Sequence, residues 1–291
     1  MPELPEVETI VKDLNTKVLG RTFVDIWTDF KKVIKKPKNF EDFKKKVKNK
    51  KIQKIWRRGK NIIFELSGGL SLLIHQKMTG HLLVGNWQLV TGKWKPTKKG
   101  PLEDPMNRFL HLVFEIDDGK QLALSDLRKF AKVELWNSDE LRESEGFKKL
   151  GFEPLDKNFT FEKFKEILSG KRGKIKQVLM DQTVITGIGN IYSDEILWEA
   201  KIHPFKNISS FKNEELKKIY QAIHKILKKA IKLRGTSISD FRDIKGKPGF
   251  YKKARKVYRR EGEKCSYCRT KIKRVKLGGR SAHFCPLCQK L

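Results

Sequence analysis

The chain has 291 residues, 38% hydrophobic and 34% charged, with 65 lysines and arginines against 34 aspartates and glutamates, a formal net charge of +31. That length and apolar content exclude a disordered chain and suffice for two domains with separate cores. So large a charge makes a compact state repel itself unless a polyanion compensates, which points to nucleic acid first and to an anionic membrane surface second.

No apolar run approaches spanning length, and the first twenty residues lack the basic-then-apolar order of a secretory signal. The expectation is a cytoplasmic protein. The chain opens "MPELPEVETI". From Pro5 onward Val7, Ile10, Val11, Leu14 and Val18 recur at helical spacing, with Gly20 as a stop. Proline suits the first helical position, and Glu6 and Glu8 face the positive end of the helix dipole. Pro2 and Glu3 lie ahead of that helix and are not explained by it. Up to Trp136, runs such as "RTFVDIWTDF", "NIIFELSGG" and "HLVFEIDDGKQLALSDL" alternate or sustain apolar residues between Gly and Asp turns. They predict an antiparallel sandwich or barrel. Lysines crowd between Lys31 and Lys60, a run that reads as a solvated face.

Residues 137–158 are polar and predict an interdomain linker. From "TFEKFKEILSG" the period becomes helical and continues through "NEELKKIYQAIHKILKKAIKLRG". The stretch 235–253, "GTSISDFRDIKGKPGFYKK", is either a linker or a functional loop. Cys265, Cys268, Cys285 and Cys288 make two CxxC pairs near the C-terminus, the spacing of a zinc site. Two disulfides are the alternative, disfavoured in an intracellular chain with no other cysteine. Four thiolates leave no open position, so the ion is structural, and its binding, worth roughly 10–16 kcal/mol, can fold a segment with little core. The prediction is an α+β fold of two domains, an N-terminal antiparallel β-sandwich with a leading helix and a helical C-terminal domain. Its parts are 1–136, 137–158, 159–234, 235–253 and a zinc module at 254–291.

Four motifs occur in order over nearly the whole length: "PELPEVET", "GIGNIYSDE" at 187–195, "GKPGF" at 246–250 and "GRS" between the cysteine pairs. With them the chain resembles the formamidopyrimidine-DNA glycosylase family from end to end. Removal of Met1 leaves Pro2 with a free secondary amine, able to attack a sugar C1′ and form an iminium. An α-amine of pKa near 7.7–8.0 is roughly a quarter unprotonated at about pH 7.4, against about a thousandth for a lysine near 10.4. The terminus therefore wins as nucleophile.

The resemblance implies further roles. Glu3 is the general acid/base and Glu6 a supporting group. Lys60, in "RRGKN" at a turn between strands, contacts phosphate and acts as the acid of β-elimination. Arg280, where a zinc-ribbon hairpin turns, clamps phosphate and assists δ-elimination. Met78, Arg128 and Phe130 fill the void left by an extruded base. Asn190, at a helix N-terminus of the family's helix-two-turn-helix domain, meets the DNA backbone, helped by Lys171 and Lys176. The 235–253 loop caps a lesion purine. These imply a bifunctional glycosylase and lyase for oxidised purines such as 8-oxoguanine, acting as a monomer on double-stranded DNA with one structural Zn²⁺. Phe109 stands where family members often have a DNA-contacting histidine, so that contact is not carried over. Gln76 and Lys77 replace small, apolar residues before Met78. The alternatives are an endonuclease VIII-like enzyme for oxidised pyrimidines, a non-catalytic zinc-ribbon DNA-binding protein, and a non-specific RNA binder.

Overall fold

The computed structural model describes residues 1–238 and 240–291, so only Ser239 of the 235–253 loop lies outside the described residues. The chain forms two compact units, Met1–Lys148 with Leu233–Lys252, and Lys149–Lys232 with Lys253–Leu291.

In the first unit, α1 spans Leu4–Lys17. Leu4 is the first helical residue, which places Pro5 second, still in the turn whose N–H groups have no intrahelical partner to lose. Val7, Ile10 and Leu14 are wholly buried, each worth roughly 1.5–3 kcal/mol of burial. Strand β1 (Phe23–Thr28) and the short β2 (Ile34–Lys36) lead to α2 (Phe40–Val47). A meander follows, of β3 (Ile52–Arg58), β4 (Asn61–Leu66) and β5 (Leu70–His75). Next come β6 (His81–Gly85), a small hairpin of β7 (Trp87–Val90) and β8 (Lys93–Pro96), then β9 (Leu110–Ile116), β10 (Gln121–Ser125) and β11 (Lys132–Asn137).

Two sheets result, ordered β1-β9-β10-β6 and β2-β11-β5-β4-β3. They enclose one core in which Val7 and Ile10 of α1, and Phe43 and Val47 of α2, join Phe114, Leu124, Phe64 and Ile74 from the inward strand positions. Pairing is antiparallel except at one edge, where β2 runs parallel to β11. The expected linker 137–158 begins instead as helix, α3 (Ser138–Glu143) and α4 (Glu145–Lys148). Asn137 caps α3 by accepting the Asp139 N–H at 3.0 Å, and Leu141 packs with Ile63 and Leu73 of the sheet. The polar residues there are a capped first turn, which composition alone cannot tell from a linker. The loop after Gly235 is likewise not a linker: Phe241 and Ile244 enter the first unit's core, and the Ile244 carbonyl accepts from Val84 N–H at 2.8 Å.

The second unit holds α5 (Phe161–Ser169), α6 (Ile175–Met180), α7 (Asn190–Glu199) and α8 (Asn213–Lys232), and the hairpin β12 (Lys273–Leu277) and β13 (Arg280–Phe284). Residues 181–189 join α6 to α7 through two turns stitched by Gln182. Its Nε2 donates to the Met180 and Ile188 carbonyls, each at 2.7 Å, and its Oε1 accepts from Gly187 N–H at 2.9 Å. Residues Ile191 to Trp198 of α7 are all buried, so the helix interior includes two carboxylates, Asp194 and Glu195, that need partners.

Candidate functional site

Pro2 and Glu3 are buried immediately before α1, Glu3 at 2% exposure. Glu6, one turn along, holds them: its Oε2 accepts Glu3 N–H at 2.8 Å, and its Oε1 accepts Thr236 N–H at 2.6 Å. One carboxylate thus ties the chain terminus to the 233–252 loop. Gly235 makes the approach possible, because it sits at φ +75° and a Cβ there would lie 2.8 Å from Glu6 Cγ. Arg234 fastens the same loop to α1, with paired bonds to Asp13 and to Asp243 that hold its guanidinium pKa above the usual arginine value. The chain still carries Met1, so the Pro2 nitrogen is an amide here; the α-amine present is that of Met1, which burial lowers below its ordinary 8.0, Lys60 lowering it further while Glu3, Glu6 and Asp240 oppose them.

Lys60 occupies the β3–β4 turn after Gly59, and at 7% exposure it is not the solvated lysine that a turn usually carries. Arg57 braces the turn, donating to Glu8 Oε2 of α1 and to the Gly59 carbonyl, each at 3.0 Å. His75, which no motif singled out, pairs in register with Asn61 beside that turn. Burial first, and then the charges of Lys77, Lys132 and Lys60, bring its pKa down to about 3, so it stays neutral. Its signal in sequence was only its place three residues before Met78.

Met78, Arg128 and Phe130 are exposed on two loops, with the Arg128 guanidinium 4.6 Å from the Phe130 ring centroid. Buried Asp126 organises both loops. It binds the Thr79 hydroxyl, accepts Ala131 N–H at 2.7 Å and Arg128 N–H at 3.3 Å, while Thr79 Oγ1 accepts Arg128 N–H at 3.1 Å. From Thr79 the polar chain continues inward. His81 contacts the Thr79 carbonyl at 3.2 Å and Asn107 Oδ1 at 2.9 Å, and Asn107 Nδ2 donates to the Gly246 carbonyl at 3.2 Å. The loops bearing Met78, Arg128 and Phe130 and the 233–252 loop are therefore joined by buried hydrogen bonds. Gln76 continues the inward face of Leu72 and Ile74, and neither of its buried amide atoms has a partner.

In the second unit Asn190 is the first residue of α7, with its Oδ1 unpartnered. Lys171 is exposed in the loop after α5. Lys176, expected to contact DNA, is instead buried at 1% exposure in an ion pair with Asp194, and its Nζ donates to the Ser281 carbonyl at 2.9 Å. Its charge is consumed inside the unit, because Asp194 on the buried α7 requires a counter-ion. Glu195 is satisfied by the backbone N–H groups of Lys256, Val257 and Tyr258 at 2.8–3.0 Å. Together these two carboxylates tether the zinc module to α7. Arg280 is exposed directly after the turn Gly278–Gly279, both at positive φ, and a Cβ on Gly278 would lie 2.5 Å from Gln177 Nε2.

The four cysteine sulfurs lie within 4.8 Å of one another, with Cys268–Cys285 at 3.3 Å and Cys265–Cys288 at 3.9 Å. A tetrahedral ion at about 2.3 Å from each thiolate sets sulfurs roughly 3.8 Å apart, so the cluster fits one structural zinc.

Three family models match the chain: the formamidopyrimidine-DNA glycosylase N-terminal domain over 1–133, the formamidopyrimidine-DNA glycosylase H2TH domain over 150–242, and a zinc finger found in FPG and IleRS over 262–291. A formamidopyrimidine-DNA glycosylase of Pelotomaculum thermopropionicum is 39% identical over all of both chains. Among solved structures, wild-type Lactococcus lactis Fpg in complex with a DNA containing N7-benzyl-Fapy-dG superposes with a TM-score of 0.86 at 36% identity, covering both chains fully. The same protein in complex with a DNA containing an oxidised pyrimidine gives 0.85 at 35%, again over both chains.

Proposed function

The chain belongs to the formamidopyrimidine-DNA glycosylase family and is a DNA glycosylase of base excision repair, and from that premise we propose that it is bifunctional, excising oxidised purines through Pro2 and then cutting the strand on both sides of the sugar. With Met1 removed, the Pro2 amine attacks C1′ of the damaged nucleotide as the bond to the base breaks. Loss of the amine proton and opening of the sugar ring leave an iminium at C1′. Glu3 carries protons between the amine, the departing base and the ring oxygen. Removal of a C2′ proton then expels the 3′-phosphate with Lys60 as acid, and a second elimination, assisted by Arg280, expels the 5′-phosphate.

The observation that supports this most is the Glu6 carboxylate, which accepts both Glu3 N–H and Thr236 N–H. It holds the proton carrier, next in the chain to the nucleophile, and the base-capping loop in one hydrogen-bonded group, and Pro2 itself is buried, a setting that disfavours a charged amine. Met78, Arg128 and Phe130 serve as the wedge, and Asn190, Lys171 and Arg280 as backbone contacts. Lys176 acts through Asp194 and the hairpin. The protein's partner is double-stranded DNA carrying oxidised bases; the complexes of the lactococcal relative hold DNA containing N7-benzyl-Fapy-dG or an oxidised pyrimidine.

The test is product analysis on duplexes containing 8-oxoguanine, a formamidopyrimidine or an oxidised pyrimidine, the last because the relative was crystallised with one. The expected result is a one-nucleotide gap with phosphate on both ends, formed fastest at the purine lesions. Base release that leaves an intact abasic strand would reject the lyase assignment. Faster gap formation at the oxidised pyrimidine would reject the purine preference.

A further inference from the structure

Apart from Lys60 at its end, the proposed site leaves the lysine-rich run unused. Residues 31–60 contain fifteen lysines and arginines against two carboxylates, Glu41 and Asp42, so this tenth of the chain carries +13 of its +31. A solvated face ordinarily intersperses both signs; this one does not. Lys31, Lys36, Lys44 and Lys54 meet Glu41, Glu140, Asp25 and Glu65 at 2.8–3.9 Å. Lys32, Lys35, Lys38, Lys45, Lys46, Lys48, Lys50 and Lys51 make no ion pair within 4 Å among the described residues, although the charge of Lys48 is felt at Asp25. The macrodipole of α2 accommodates lysines in its last turn at roughly 0.3–1 kcal/mol each, but it does not reach Lys32–Lys38 or Lys50 and Lys51. The unbalanced charge calls for an external polyanion.

Placement says which one. The apolar side chains of the run, Val33, Ile34, Phe43, Val47 and Ile52, are buried in the core, which leaves no apolar face to enter a membrane. Through Lys54 every cation is a lysine, a flexible point charge that follows phosphates without reading base edges. One end of the run adjoins the wedge loop, where Lys129 Nζ lies 5.1 Å from the Phe30 ring centroid. The other end, Lys48–Lys51, precedes β3, whose seven residues separate it from the turn bearing Lys60. At about 3.3 Å per residue that is roughly 20 Å, or about six base pairs of duplex.

We propose that the lysine track from Lys31 to Lys51 is a second, sequence-independent binding surface for duplex DNA, engaging phosphates outside the lesion site. The inference rests on the DNA-glycosylase reading but not on the lyase chemistry.

The variant Lys45→Gln/Lys46→Gln/Lys48→Gln/Lys51→Gln, all at exposed positions, tests it. Binding to a long undamaged duplex is measured across a salt series, alongside single-turnover excision from a short lesion duplex of about a dozen base pairs. Each phosphate that the protein no longer neutralises lowers the slope of log K against log salt by about 0.9, so a reduction of roughly 2–4 is expected on the long duplex. Excision from the short duplex should stay within about twofold, and the matching lysine-to-arginine variant should keep the wild-type slope. An unchanged slope in a variant with the wild-type melting temperature would make the run a solvated face and overturn the proposal. So would equal losses on short and long duplexes, which would assign these lysines to the lesion site, or loss of binding to anionic vesicles with DNA binding intact. If the wild type excises nothing from the short duplex, the glycosylase reading fails while the long-duplex slope still reports on the track.

Discussion

At the residue scale the carboxylates do most to position the candidate site. Asp126 holds the Thr79 hydroxyl and the Arg128 and Ala131 N–H groups. Its replacement by alanine leaves buried donors unpaired, so Asp126→Ala should destabilise the chain by roughly 2–4 kcal/mol in denaturant titrations. If Met78, Arg128 and Phe130 are the proposed wedge, it should also slow base excision more than cleavage at a preformed abasic site, where no base has to be extruded. His75 gives a pH prediction. Its folded pKa of about 3 lies below the ordinary 6.5, so between those values the unfolded chain binds more protons and stability falls as pH falls. His75→Leu should therefore unfold at lower pH than the wild type; an unchanged acid midpoint would show that the imidazole is not buried neutral. The cysteine cluster was legible because its spacing and its chemistry coincide, and motif and chemistry likewise single out Pro2, Glu3 and Lys60 for the roles proposed. Asp126, Arg57, Arg234 and His81 were not legible, since their partners lie 2 to 221 residues away and only folding brings them together. Lys176 misled for the same reason: sequence shows a lysine in a basic stretch, and only the fold shows Asp194 consuming its charge.

At the scale of elements, periodicity identified α1, the strands and α8, whose buried Leu216, Ile219, Ile223, Ile226 and Leu227 make one stripe. It could not resolve 137–158 or 235–253, where caps and turns rather than apolar period decide the structure. The latter loop invites the sharper test. Gly235→Ala adds a Cβ at φ +75° against Glu6, a change expected to cost about 1–3 kcal/mol locally. Excision of a purine lesion should drop well over tenfold, while binding to an abasic-site duplex changes little. Equal losses in both would mean that Gly235 serves the fold of the whole unit rather than the loop.

For the whole molecule, charge and zinc give the broad outline. The net charge of +31 called for a polyanion before any motif was considered, and the family assignment supplies DNA. The zinc module depends on its ion for order, because its core is little more than Trp198, Val257, Ile272 and the cysteines themselves. Chelation should therefore abolish the hairpin's circular-dichroism signal and weaken DNA binding, leaving the first unit's β-sheet signal in place. With Met1 removed the amine falls on Pro2, whose position is buried, and burial disfavours the charged form, so the acid limb of the rate profile should lie below the ordinary α-amine value of about 8.0; a limb above it would contradict that electrostatic reading. The central claim is that one nitrogen, exposed when Met1 is removed, forms the covalent intermediate. Borohydride reduction of the zinc-loaded, processed chain acting on a duplex with 8-oxoguanine opposite cytosine, followed by peptide mapping of the adduct, tests it directly. A sugar remnant on the nitrogen of Pro2 is the expected result. An adduct on Lys60 or another lysine, or no adduct while the base is still excised, would contradict it.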